Sequence, residues 1–107
     1  MNLDELYAKV LAKSETLRLP HDTAATTILL DVLGEDPRRW LVSFSGEKAR
    51  ISEYAGEAPS VTVSASDKTV LAIADRSLNP TKAFLTGRLK IKGDRSLLKN
   101  LSKIWPD

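Results

Sequence analysis

From Thr26 to Ser66 apolar residues recur at every second position, and this period of two constrains the chain more than any other feature. Ile28, Leu30 and Val32 alternate with Thr27, Leu29 and Asp31. Gly34-Glu35-Asp36-Pro37 breaks the pattern with a turn. Trp40, Val42 and Phe44 then form one face of a second run, with Leu41, Ser43 and Ser45 on the other. Gly46 turns the chain into Ala49 and Ile51. Beyond Gly56 to Pro59, Val61, Val63 and Ala65 alternate strictly with Ser60, Thr62, Ser64 and Ser66. Successive side chains of a strand point to opposite faces. Four short strands separated by tight turns therefore predict an antiparallel meander with one dry face.

The flanking segments change period. Leu3, Leu6, Tyr7, Val10, Leu11 and Leu17 recur at helical spacing over residues 3–18, ahead of Pro20. Asn2 with Glu5 three residues later reads as a capping-box variant. The polar side of this helix mixes acids with lysines, which suits a cover for the core rather than a membrane-surface helix. After the strands, Asp67 is placed to cap a helix bearing Val70, Leu71, Ile73 and Ala74. Asn79 caps another, with Pro80 at its first position, where the missing N–H costs nothing. Gly87 suits a left-handed stop. Leu89 and Ile91 then alternate with Arg88, Lys90 and Lys92 as a half-buried strand. A last helix carries Leu97, Leu98, Leu101, Ile104 and Trp105. The order helix, four strands, two helices, strand, helix is that of an α+β domain with its helices gathered on one face of a sheet.

A length of 107 residues predicts one domain, 1–107, with a single core. Hydrophobic residues at 42% and charged residues at 28% place it among globular rather than disordered chains. With no cysteine, thiol chemistry and disulfides drop out. The charged N-terminus lacks a signal-peptide segment. Trp105-Pro106-Asp107 is no targeting tripeptide, and the expectation is a cytoplasmic protein.

Few residues invite chemistry. His21 beside Asp22 sits in a loop and has no serine on a strained elbow to activate; a solvated turn histidine explains it better. A second histidine and an EF-hand-like run are both missing, so no metal is expected. Asp4-Glu5 belongs to a helix's first turn and Glu35-Asp36 to a hairpin turn, which leaves no carboxylate pair for acid–base work. Gly87 and Gly93 bracket a basic strand without the Gly-Lys-Ser/Thr of a phosphate loop. The charge is lopsided. Residues 1–75 hold eight basic and twelve acidic side chains, whereas residues 76–106 hold eight basic ones against Asp94 alone. Nucleic acid is not the expected partner, because the basic strand offers no exposed aromatic platform for bases. A solvated basic face and an anionic membrane both remain open.

The stretch Asn79-Pro80-Thr81-Lys82-Ala83-Phe84-Leu85-Thr86-Gly87-Arg88-Leu89-Lys90-Ile91-Lys92-Gly93-Asp94 resembles the signature of the sterol carrier protein type 2 family. The matching elements are the Asn-Pro start, Ala-Phe, Gly-Arg-Leu-Lys-Ile and the Gly-Asp exit, with Leu97-Leu98-Lys99-Asn100-Leu101 as support. The likeness spans roughly residues 25–104 and is closest to stand-alone prokaryotic-type members. It departs from the family at Asp75-Arg76-Ser77, which lacks the glycine often found there, and in having no peroxisomal tripeptide.

The resemblance implies a five-stranded, mainly antiparallel sheet covered on one face by helices and enclosing an apolar tunnel. It implies binding and transfer of fatty acids, acyl-CoA, sterol-like molecules or phospholipids, with no catalysis and no cofactor. Trp40, Val42, Phe44, Ile73, Leu78, Phe84, Leu85, Leu89, Ile91, Leu98, Leu101 and Trp105 are the expected lipid-binding residues, with Phe84 and Leu85 as gate. Arg88, Lys90 and Lys92 are the expected contacts to a ligand headgroup or an anionic membrane. The expected partner is a hydrophobic small molecule, and the expected state a monomer or weak homodimer. The rival reading is a protein-interaction, dimerisation or accessory module built on the same fold.

Overall fold

The computed structural model describes residues 1–106, so Asp107 of the terminal tripeptide lies outside the described residues. Helix α1 spans Leu3–Thr16. Asn2 Oδ1 accepts the Glu5 N–H at 2.8 Å, and Asp4 and Glu5 place negative charge at the positive end of the helix dipole. Leu3, Leu6 and Val10 form the buried stripe. The helix stops at Thr16, two residues short of the expected span of 3–18. Leu17 takes extended backbone, and the Leu19 N–H goes to the Glu47 carbonyl at 3.0 Å, so a tertiary hydrogen bond overrides the local pattern.

Strands β1 (Thr26–Leu33), β2 (Arg38–Ser45), β3 (Lys48–Glu53), β4 (Val61–Ser66) and β5 (Leu89–Gly93) form one sheet in the order β3-β2-β1-β4-β5. The expected meander holds for β1 to β3 and fails at β4. This strand lies on the far side of β1 and runs parallel to it, while β2–β1, β3–β2 and β5–β4 are antiparallel. A parallel neighbour needs a crossover. The β2–β3 hairpin and residues 54–60 provide one, ending where Ser60 N–H meets the Thr27 carbonyl at 2.8 Å.

Register aligns the apolar positions into rows across the dry face. Ile51, Val42, Ile28 and Val61 form one row, and Trp40, Leu30, Val63 and Ile91 the next. Leu29 and Leu41 face the other way, opposite each other, yet are only 8% and 4% exposed. That face is therefore not wholly wet.

Helix α2 covers Asp67–Ala74 and is capped one residue earlier than the sequence suggests. Ser66 Oγ accepts the Thr69 N–H at 3.1 Å. Asp67 is instead occupied by the β1–β2 turn, where it accepts the Asp36 N–H at 3.2 Å beside Gly34. Helix α3 covers Pro80–Leu85, with Asn79 Oδ1 accepting from Thr81 and Lys82. Gly87 at φ +78° ends it, and bonds from Arg88 N to Ala83 O (2.9 Å) and Gly87 N to Phe84 O (3.2 Å) complete a Schellman motif.

The last helix is 3₁₀ over Arg95–Lys103 rather than α. Three residues per turn suit the spacing of Leu98, Leu101 and Ile104, which fall in one line along it.

Candidate functional site

Between the dry face of the sheet and the helices α2, α3 and 3₁₀ lies a cavity of about 760 Å³. This is within the usual range of small-molecule sites, roughly 300–1,000 Å³. Nine of the twelve expected lipid-binding residues line it: Trp40, Ile73, Leu78, Phe84, Leu89, Ile91, Leu98, Leu101 and Trp105. Leu89 and Ile91 reach it because strand alternation aims them at the dry face. Leu98 and Leu101 close it from the 3₁₀ helix, and Phe84 from α3.

Three expected residues lie elsewhere. Val42 and Phe44 share the face of Trp40 but are fully buried in the core at the end of the sheet covered by α1, which packs on β3. Trp40 stands at the border. Its ring tilts against Tyr7 of α1 at 5.5 Å between centroids, and it also lines the cavity. Leu85 points away from the cavity and is 76% exposed.

Arg88, Lys90 and Lys92 are exposed, and none of the three lines the cavity. Lys90 pairs with Ser64 and Lys92 with Thr62, on the opposite face of the sheet.

The apolar wall also contains Leu30, Val32, Val63, Ala65 and Val70. The first four are dry-face positions, so the same alternation marks them. The polar part of the rim, including Arg76, Asn79, Thr81, Arg95 and Ser102, carries no such signal. Arg95 holds its guanidinium 4.9 Å from the Phe84 ring centroid, a cation–π contact. Asp31 also borders the cavity, but strand alternation turns its carboxylate to the opposite face, where it accepts from Arg39 Nε at 3.4 Å. The Trp105 carbonyl accepts from Lys13 Nζ at 2.9 Å, and its indole Nε1 is buried with no hydrogen-bond partner among the described residues.

The remaining polar candidates have structural roles. Asp4 and Asp36 both accept from Arg38, at 2.8 and 3.1 Å, tying α1 to the β1–β2 turn. Those carboxylates hold the Arg38 guanidinium above its ordinary pKa. His21 lies in an exposed turn. Among the described residues there is no group of three or more His, Cys, Asp or Glu that could hold a metal ion. No helix among the described residues is long and apolar enough to cross a membrane. Chemically, the arrangement offers an apolar cavity with a partly cationic rim.

The sequence model of the SCP-2 sterol transfer family matches residues 4–105. Among curated protein sequences none matches. Solved structures do. Palmitated SCP2L2 of Aedes aegypti superposes with a TM-score of 0.79 at 19% identity, over 97% of this chain and 94% of that one. The Aedes aegypti sterol carrier protein 2 complex with palmitate gives 0.69 at 18% identity, over 94% and 93%. The inverting sec-alkylsulfatase Pisa1 of Pseudomonas sp. gives 0.61 at 17% identity, over 94% of this chain but 14% of the enzyme. Identities this low speak for the fold, and in Pisa1 that fold is one part of a larger chain.

Proposed function

This chain belongs to the SCP-2 sterol transfer family, and from that premise we propose that it binds a lipid or other hydrophobic ligand in its cavity and carries it unchanged. The reading treats residues 1–107 as one lipid-binding domain without catalytic activity. The observation that carries it is the cavity of about 760 Å³ lined by Trp40, Ile73, Phe84, Ile91, Leu98, Leu101 and their neighbours. Burying a 16-carbon chain there gains on the order of 12 kcal/mol, at about 0.8 kcal/mol per methylene. Association and ordering offset much of that. Shape and dryness therefore matter more than polar contacts, which suits a wall made largely of Leu, Ile, Val and aromatic side chains. The palmitate complexes of the two Aedes proteins fit a single acyl chain as cargo.

Native mass spectrometry of the purified protein, before and after organic extraction, tests the reading. An extractable acyl compound in one-to-one ratio is the expected result. A ligand-free dimer would favour the accessory-module reading, for which Pisa1 is the precedent. Phe84→Asp and Leu101→Asp each place a charge against the acyl chain, and their affinity for a fluorescent fatty acid should fall at least about tenfold. If both variants fold and bind like the wild type, the cavity is not the binding site.

A further inference from the structure

Asp-Arg-Ser occurs twice in this chain, at Asp75-Arg76-Ser77 and at Asp94-Arg95-Ser96, and both arginines line the cavity. The two turns are built alike. In each, the aspartate Oδ1 accepts the backbone N–H of the serine two residues on, at 2.9 Å. Each aspartate is thereby spent on its own turn, and neither forms an ion pair with the arginine beside it. Arg76 and Arg95 have no salt-bridge partner among the described residues. Asp31, the one acid among the residues bordering the cavity, is engaged by Arg39 on the opposite face of the sheet.

Arg76 is costlier than its surroundings require. It closes the Schellman motif at the end of α2, with Ser77 N–H to Ala72 O at 3.0 Å, and it is the one non-glycine residue with positive φ among the described residues, at +68°. Glycine adopts that conformation freely and arginine does not. At the matching position after α3 the chain does use glycine, Gly87. An arginine kept at a strained position on a cavity wall calls for a role that its side chain performs. Arg95 is placed by different means, held over the face of Phe84. The backbone of Arg76 is thus fixed by its turn and the guanidinium of Arg95 by Phe84, and both residues are exposed.

We propose that Arg76 and Arg95 select, at the rim of the cavity, hydrophobic ligands that end in an anionic oxyacid head, carboxylate or phosphate. The forked guanidinium matches such oxygens in two-point geometry. An uncharged head of the same chain length gains nothing from it. This inference rests on the lipid-carrier reading and adds the class of cargo.

The test is competition against the neutral fluorescent probe N-phenyl-1-naphthylamine by dodecanoate, dodecyl phosphate and dodecanol. The wild type should favour at least one anion over the alcohol by about tenfold, the scale expected of two solvent-exposed ion pairs, and added salt should shrink the preference. The favoured anion identifies the head. Arg76→Gly removes the guanidinium and relieves the backbone, so its thermal midpoint should equal or exceed that of the wild type. In the double variant Arg76→Gly, Arg95→Gln the anion-to-alcohol ratio should approach unity, and Arg95→Lys in the Arg76→Gly background should restore part of it. Equal binding of anions and alcohol by the wild type, or a ratio unchanged in the double variant, overturns the inference and leaves the carrier reading standing. Failure of all three ligands and the probe to bind overturns both.

Discussion

Asp94 shows how much of this molecule is decided by single local hydrogen bonds. It caps the 3₁₀ helix that closes the cavity, accepting from Ser96 Oγ at 2.7 Å and from Ser96 N at 2.9 Å. The Ser96 hydroxyl, and after it the Ser96 amide, hold the Asp94 carboxyl below its ordinary pKa. Ser77 does the same for Asp75 at the end of α2. A carboxyl whose folded pKa is depressed stabilises the native state above its unfolded pKa, and the contribution is lost as pH falls through the folded value. Asp94→Ala should therefore lower the thermal midpoint at neutral pH. The gap between variant and wild type should close as the pH drops below 3.8, the ordinary value for an aspartate. Thermal melts from about pH 7 to pH 2 check this. A gap that stays constant with pH would mean that the carboxylate's charge contributes nothing.

At the scale of elements, α3 is six residues long, fixed at one end by Asn79 and Pro80 and at the other by Gly87. Two glycines here test different physics. A Cβ at Gly87 would meet nothing within 4 Å, so Gly87→Ala costs only the left-handed backbone, about 1 kcal/mol. A Cβ at Gly93 would lie 2.8 Å from the Ser60 carbonyl, where β5 meets β4, in addition to a φ of +114°. Gly93→Ala should cost clearly more than Gly87→Ala in denaturant unfolding. Equal losses would mean that the β4–β5 approach is looser than this geometry.

The alternation that marks the strands also shows why reading them goes only so far. A period of two decides which side chains share a face, and Ile28, Trp40, Val63 and Ile91 do share one. It says nothing about which strand lies beside which, so β4 was legible as a strand but not as the parallel neighbour of β1. Nor does it give position along a face, which is why Val42 and Phe44 read as cavity residues but pack in the core under α1. Spacings of three in Leu98, Leu101 and Ile104 fit a 3₁₀ helix as well as an α-helix. The apolar wall could be read from the dry face and the 79–94 signature. Arg76 and Arg95 could not, because Asp-Arg-Ser looks like any surface turn until the cavity is placed beside it.

At the scale of the whole molecule the charge has a geometry that the net value of +2 conceals. Strand register puts Arg39, Lys48, Arg50, Lys90 and Lys92 on the face of the sheet turned away from the cavity, with Asp31 the one strand acid among them. We propose that this cationic sheet face makes brief contact with an anionic bilayer. Each basic residue near such a surface contributes about 1 kcal/mol, and the attraction decays over a Debye length of about 10 Å at 0.1 M salt. Flotation with vesicles of phosphatidylcholine and phosphatidylserine should retain the protein at low salt and release it as salt rises. Vesicles of phosphatidylcholine alone should retain little. Lys90→Glu with Lys92→Glu should abolish most of the retention while leaving ligand binding intact, because both side chains face away from the cavity. Retention unaffected by salt and by charge reversal would sink the membrane role of this face, and the basic strand would then be a solvated surface.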